Sequence, residues 1–123
     1  MAIRDDIDAD DDFFTGEDKT ITATIYQADG TTPQNITGWS LSYLWKRAKT
    51  DTDAEAVLTK TTSAGGIVLT TPVSGVCTIT IADTDTDGLV ARQYWHELKR
   101  MDGGSETVLT TGTVELQQAA HRA

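Results

Sequence analysis

The sequence has one cysteine, two histidines, two prolines and ten basic residues among 123 positions, and each scarcity removes a class of protein. A lone thiol, Cys77, forms no internal disulfide, and with two histidines it makes too few ligands for a structural zinc site. In Val76-Cys77-Thr78-Ile79-Thr80-Ile81 it alternates with isoleucines, which predicts a buried, inert thiol. No apolar run approaches the eighteen or so residues of a membrane helix, so no membrane is expected as a partner. Met1 to Asp12 is acidic where a signal peptide is basic, and synthesis in a cytoplasm is expected. A glycine-rich phosphate loop, a Ser/His/Asp pattern and His-x-x-x-His are all missing. The chain therefore reads as no enzyme and as needing no cofactor.

The charge is −9, and residues 1 to 18 hold eight acids against Arg4, so −7 of it lies there. Such a field repels phosphate backbones, which argues against nucleic acid as a partner. Residues 1–14 read as an acidic arm without enough apolar surface to fold alone. Asp8, Asp10, Asp11 and Asp12 are expected to face a basic groove on another subunit, with Phe13 and Phe14 as apolar anchors. Removing residues 2–14 should then leave a folded domain.

What is present is alternation. Trp39, Leu41, Tyr43 and Trp45 share one parity, against Ser40, Ser42, Leu44 and Lys46 on the other. A strand sends successive side chains to opposite faces, so this stretch lays an apolar stripe on one side of a sheet. No long helical pattern offers to cover it, which leaves a second sheet as the cover. Ile21, Ala23 and Ile25 form another such stripe, and Cys77, Ile79 and Ile81 a third. Leu58 lies on a short edge-like strand that Lys60 would guard against stray pairing. Asp102-Gly103-Gly104-Ser105 predicts a hairpin between Ala91–Met101 and Glu106–Leu116. In its first arm Tyr94, His96 and Leu98 point inward, which leaves Trp95 outward on a charged face as a candidate interface anchor.

The spacing of turns predicts an all-β fold, an antiparallel β-sandwich of about seven strands. Residues 15–116 would form it and residues 117–123 a polar tail. With 123 residues the chain fits one domain, large enough to bury roughly two thirds of its unfolded surface.

Two constellations invite chemistry. Asp83-Thr84-Asp85-Thr86-Asp87-Gly88 matches the first half of an EF-hand loop, but Tyr94 stands where the closing glutamate belongs. A capped turn is the simpler expectation, with calcium binding as the alternative. Glu97 and Glu106 lie on the two hairpin arms, where pairing with Lys99 or Arg100 is expected in place of acid/base work. His96 reads as a satisfied, half-buried histidine.

Several phrases together carry a resemblance. Lys19-Thr-Ile-Thr-Ala-Thr-Ile-Tyr, Ala28-Asp-Gly-Thr-Thr-Pro, Asn35-Ile-Thr-Gly-Trp-Ser-Leu-Ser-Tyr, Gly66-Ile-Val-Leu-Thr, Gly75-Val-Cys-Thr-Ile-Thr-Ile, Asp85-Thr-Asp-Gly-Leu and Tyr94-Trp-His-Glu-Leu are concerned. Over residues 15–116 the chain resembles the immunoglobulin-like N-terminal domain of upper baseplate proteins of tailed bacteriophages. The resemblance implies an immunoglobulin-like sandwich that mounts one virion component on another, without a cofactor. The expected partners are other virion structural proteins of capsid, neck, tail or baseplate, and further copies of the chain. The expected location is the virion. With residue 123 as its last, the chain is expected to be a free-standing decoration, neck or adaptor protein without the receptor-binding part of the baseplate proteins. The alternative is a sugar- or calcium-binding module that uses Trp95 with Tyr94, or Asp83, Asp85 and Asp87.

Overall fold

A computed structural model describes residues 13–120; Asp8, Asp10, Asp11 and Asp12 lie outside them. The described chain forms eight strands: β1 (Phe13–Phe14), β2 (Lys19–Thr24), β3 (Leu41–Lys46), β4 (Leu58–Thr61), β5 (Ile67–Thr71), β6 (Val76–Ile81), β7 (Gln93–Arg100) and β8 (Thr107–Gln117). A single helical turn, α1 (Asp83–Thr86), follows β6, and 3-10 turns occupy Asp53–Glu55 and Pro72–Ser74. The strands make one sheet in the order β1-β8-β7-β3-β4 and a second in the order β2-β6-β5. The chain crosses between the sheets from β1 to β2, β2 to β3, β4 to β5 and β6 to β7, while β3–β4, β5–β6 and β7–β8 pair within a sheet. This connectivity is immunoglobulin-like: β2, β6 and β5 match the B, E and D strands, and β8, β7, β3 and β4 match G, F, C and an added C′.

The alternation in the sequence decides which side chains lie between the sheets. Leu41, Tyr43 and Trp45 of β3, Tyr94, His96 and Leu98 of β7, Ile21 and Ala23 of β2, and Cys77, Ile79 and Ile81 of β6 are all buried. Trp45 takes the place of the buried strand-C tryptophan of immunoglobulin domains, with Tyr94 stacked on it at 5.6 Å between ring centroids. The Tyr94 hydroxyl donates to the Val90 carbonyl at 2.6 Å. A tyrosine near the start of the F strand bonded to backbone a few residues upstream is the tyrosine corner of this architecture. Gly75 is needed where it stands: its φ is +76°, and a Cβ there would collide with the carbonyl oxygens of Ile25 and Gln34.

Five expectations change. The sandwich is not wholly antiparallel, because β1 pairs in parallel with β8, Phe13 opposite Leu116 and Phe14 opposite Gln117. Thr15 continues that ladder by donating its N–H to the Gln117 carbonyl at 2.9 Å. The sandwich therefore runs from Phe13 to Gln117, where Thr15 to Leu116 was expected. Phe13 is consequently no anchor for a neighbour. It is 3% exposed and meets Trp45 edge-on at 5.3 Å, because β1 turns its ring into the gap between the sheets. Phe14, of opposite parity, is half-buried. Removing residues 2–14 would take a core ring with it, so a truncation that spares the fold must stop at Asp12. Finally, Trp39 lies outside the strand it was assigned to. Its N–H bonds the Ile36 carbonyl in a turn, and β3 begins two residues later, at Leu41.

Candidate functional site

Two surfaces and one buried cluster collect the residues with chemistry. The first surface is the outward face of the five-stranded sheet. Trp95 points out from β7, the middle strand, in register with Lys46 of β3 and Thr113 of β8. Leu44 stands beside it, opposite Glu97, and Lys49 places its ammonium 5.4 Å from the Trp95 ring centroid. Both Trp95 and Leu44 are half-buried. The face is nearly flat: its dents, of about 30 and 50 Å³, hold Leu44, Lys46, Lys49, Trp95 and Thr111 in one and Ser42, Asp53, Lys99 and Met101 in the other. Trp95 thus lies outward, while Tyr94 is 1% exposed. The expected Trp95–Tyr94 sugar platform does not form, because neighbours in a strand face opposite ways.

The second surface is a cleft at one end of the sandwich, between the β2–β3 connection and the β7–β8 turn. Its volume is about 450 Å³, and Gln34, Trp39, Arg100, Gly104, Ser105, Glu106 and Thr107 line it. The Arg100 guanidinium lies 3.9 Å from the Trp39 ring centroid. One oxygen of Asp102 accepts from the Ser40 N–H at 3.0 Å and from Arg100 Nε at 2.9 Å, so a single carboxylate ties both walls together. Those two bonds, the Ser40 amide first, hold the Asp102 carboxyl below its usual range. Sequence reading missed this cleft. Its one signal, a tryptophan directly after a turn glycine, was absorbed into the strand pattern.

The buried cluster joins the sheet's interior. Trp45 Nε1 donates to the Tyr43 hydroxyl at 2.9 Å, and that hydroxyl lies 2.9 Å from His96 Nδ1. Burial raises the Tyr43 pKa far above its normal value, so the phenol keeps its proton. Burial also lowers the His96 pKa, which favours the neutral ring. An indole N–H only donates, so Tyr43 accepts from Trp45 and passes its own proton's bond to Nδ1, leaving the ring proton on Nε2. Gly112 faces that nitrogen, and a Cβ there would sit 3.3 Å from it. His96 is 3% exposed, deeper than the half-buried position expected.

The aspartates of α1 serve the turn. Asp85 Oδ2 accepts from the Ala82 N–H at 2.7 Å and meets Lys60 Nζ at 2.7 Å. Burial opposes its ionisation, but the Lys60 and Ala82 bonds prevail and keep its pKa low. Asp83 Oδ1 accepts from the Thr84 N–H. Among the described residues no three His, Cys, Asp or Glu side chains converge to hold a metal ion. Lys60 lies on the edge strand β4 as expected, but reaches across to Asp85. Glu106 pairs with Lys99 at 3.7 Å, while Glu97 stands opposite Thr111, several residues away along the hairpin.

No protein-family model matches the chain, and no curated protein matches it. Among solved structures it is similar to the endo-beta-1,4-mannanase from Thermotoga petrophila, with a TM-score of 0.51 and 9% identity over 98% of this chain and 20% of that one. The chain spans about a fifth of the mannanase, and a likeness at that identity concerns the fold alone.

Proposed function

We propose that this chain is a non-enzymatic structural protein of a tailed-bacteriophage particle, an immunoglobulin-like module that joins one particle component to another. The observation that carries this assignment is the flat outward face centred on Trp95. An aromatic ring and Leu44 at the middle of a face without a deep pocket, ringed by Lys46, Lys49, Glu97 and Lys99, have the anatomy of a protein–protein contact. The resemblance of residues 15–116 to the baseplate domain supplies the kind of partner: capsid, neck, tail or baseplate subunits, and other copies of the chain. Several of the described groups that could drive catalysis are engaged elsewhere. His96 is bonded to Tyr43, Asp85 is paired with Lys60, and Cys77 is buried between the sheets.

The test is incorporation. Trp95→Ala should stay folded, because the ring projects away from the core. Its share in particles purified from infected cells should fall steeply, since an anchor of this kind is worth about 2 kcal/mol or more. Wild-type incorporation of the variant would remove Trp95 from the contact. Absence of the unaltered chain from such particles would end the assignment altogether.

A further inference from the structure

The cleft at Trp39 is separate from the Trp95 face and has a different character. Its walls are fixed before any ligand arrives, since Asp102 bonds both the Ser40 amide and Arg100, and the Met101 N–H adds a 2.7 Å bond to the Ser40 carbonyl. A volume of about 450 Å³ falls in the range of pockets that hold small organic ligands. We propose that this cleft binds a neutral saccharide of one or two rings.

The lining selects that class. The Arg100 guanidinium is stacked on the Trp39 indole, 3.9 Å from its ring centroid, and this flat wall of N–H groups backed by an aromatic ring suits the oxygens of a pyranose laid along it. Around the wall stand the Gln34 amide, the Ser105 and Thr107 hydroxyls and the Glu106 carboxylate. Amides and hydroxyls both donate and accept, which matches sugar hydroxyls that do the same. The charges are balanced in place, Arg100 by Asp102 at 2.9 Å and Lys99 by Glu106 at 3.7 Å. An anionic ligand would have to displace Asp102 from Arg100 and approach a chain of net charge −9. A wholly apolar ligand would strip water from the amide, the hydroxyls and the carboxylate without replacing its bonds. A neutral polyhydroxylated ring meets neither cost. Its pre-tied walls lower the ordering cost of binding.

The experiment uses the full chain labelled for indole N–H resonances. Lactose, cellobiose, mannobiose and diacetylchitobiose are titrated separately to millimolar concentration, with glucuronate as the anionic comparison. The expected result is a saturable shift of the Trp39 indole signal with at least one disaccharide, and little movement of the Trp95 signal. Trp39→Ala should weaken that binding roughly tenfold, because it removes the ring that holds the Arg100 guanidinium in the wall. Trp39 also packs against the core. Glu106→Ala, on a side chain 55% exposed, therefore serves as the variant that leaves folding alone and should weaken binding several-fold. No saturable shift with any of the four sugars overturns the proposal, as does binding unchanged in both variants. Stronger binding of glucuronate overturns the neutral class. A sugar shift centred on Trp95 would move the ligand to the sheet face, and loss of particle incorporation in Glu106→Ala without a sugar shift would assign the cleft to a protein. Both outcomes refute it and leave the Trp95 test standing on its own.

Discussion

At the scale of single residues, the Trp45–Tyr43–His96 series shows how polar atoms are afforded a place in the core. Each of the three rings is at most 3% exposed, yet the hydroxyl of Tyr43 serves both neighbours. Tyr43→Phe keeps the ring and removes that service, leaving the Trp45 N–H and His96 Nδ1 facing each other's empty place. The expected loss is about 1–3 kcal/mol in urea unfolding, the cost of buried groups without a partner. A loss under about 0.5 kcal/mol would mean that the core repacks around the missing atom. The period of two was enough to turn Tyr43, Trp45 and His96 inward. Which of their atoms meet was not legible, because that depends on Trp45 lying opposite His96 across β3 and β7. Register between strands 51 positions apart is not written in either strand alone.

At the scale of elements, β1 is the instructive case. Two residues are too few to display alternation, and Phe13 and Phe14 follow a dense run of aspartates, so composition drew them into the acidic arm. The pairing with β8 and the contact with Trp45 decide otherwise. Two truncations separate the readings. Removing residues 2–12 should leave the melting temperature of the sandwich close to that of the whole chain. Removing residues 2–14, or making Phe13→Ala, should cost about 3–5 kcal/mol, the usual penalty for emptying a buried aromatic site. Equal melting of the two truncated forms would show that β1 contributes nothing. The longer strands were legible for the opposite reason. In β2, β3, β6 and β7 several alternating residues and a bounding turn agree, whereas Trp39 shared the parity of β3 but not its ladder. The hairpin turn was legible from its glycines; the cleft beside it was not, since Gln34 and Glu106 come to line one cleft only once both sheets are stacked.

At the scale of the whole molecule, acid stability should show two separate declines. Burial lowers the His96 pKa from its ordinary 6.5. The unfolded chain therefore takes up the proton first, and stability falls as pH drops below 6.5 towards the folded value, where the native ring is protonated too. Asp85 and Asp102 are held below 3.8, and Asp29, bonded to the Thr32 hydroxyl and the Thr32 and Thr31 amides, is lowered to about 2. Their contributions are complete above 3.8 and disappear as pH falls through the folded values. Melting temperature followed from neutral to strongly acid solution should show both steps, and His96→Gln should erase the first while leaving the second. A single smooth decline in both proteins would contradict the placement of His96. The parallel seam of β1 and β8 has a geometric consequence as well. It joins Phe13 to Leu116 near the far end of β8 from Thr107, a span of about 30 Å at the usual strand rise. A tether fused after Gln117 is rooted at that pole of the sandwich, so a molecule held by it would stand there and carry Trp39 at its opposite end.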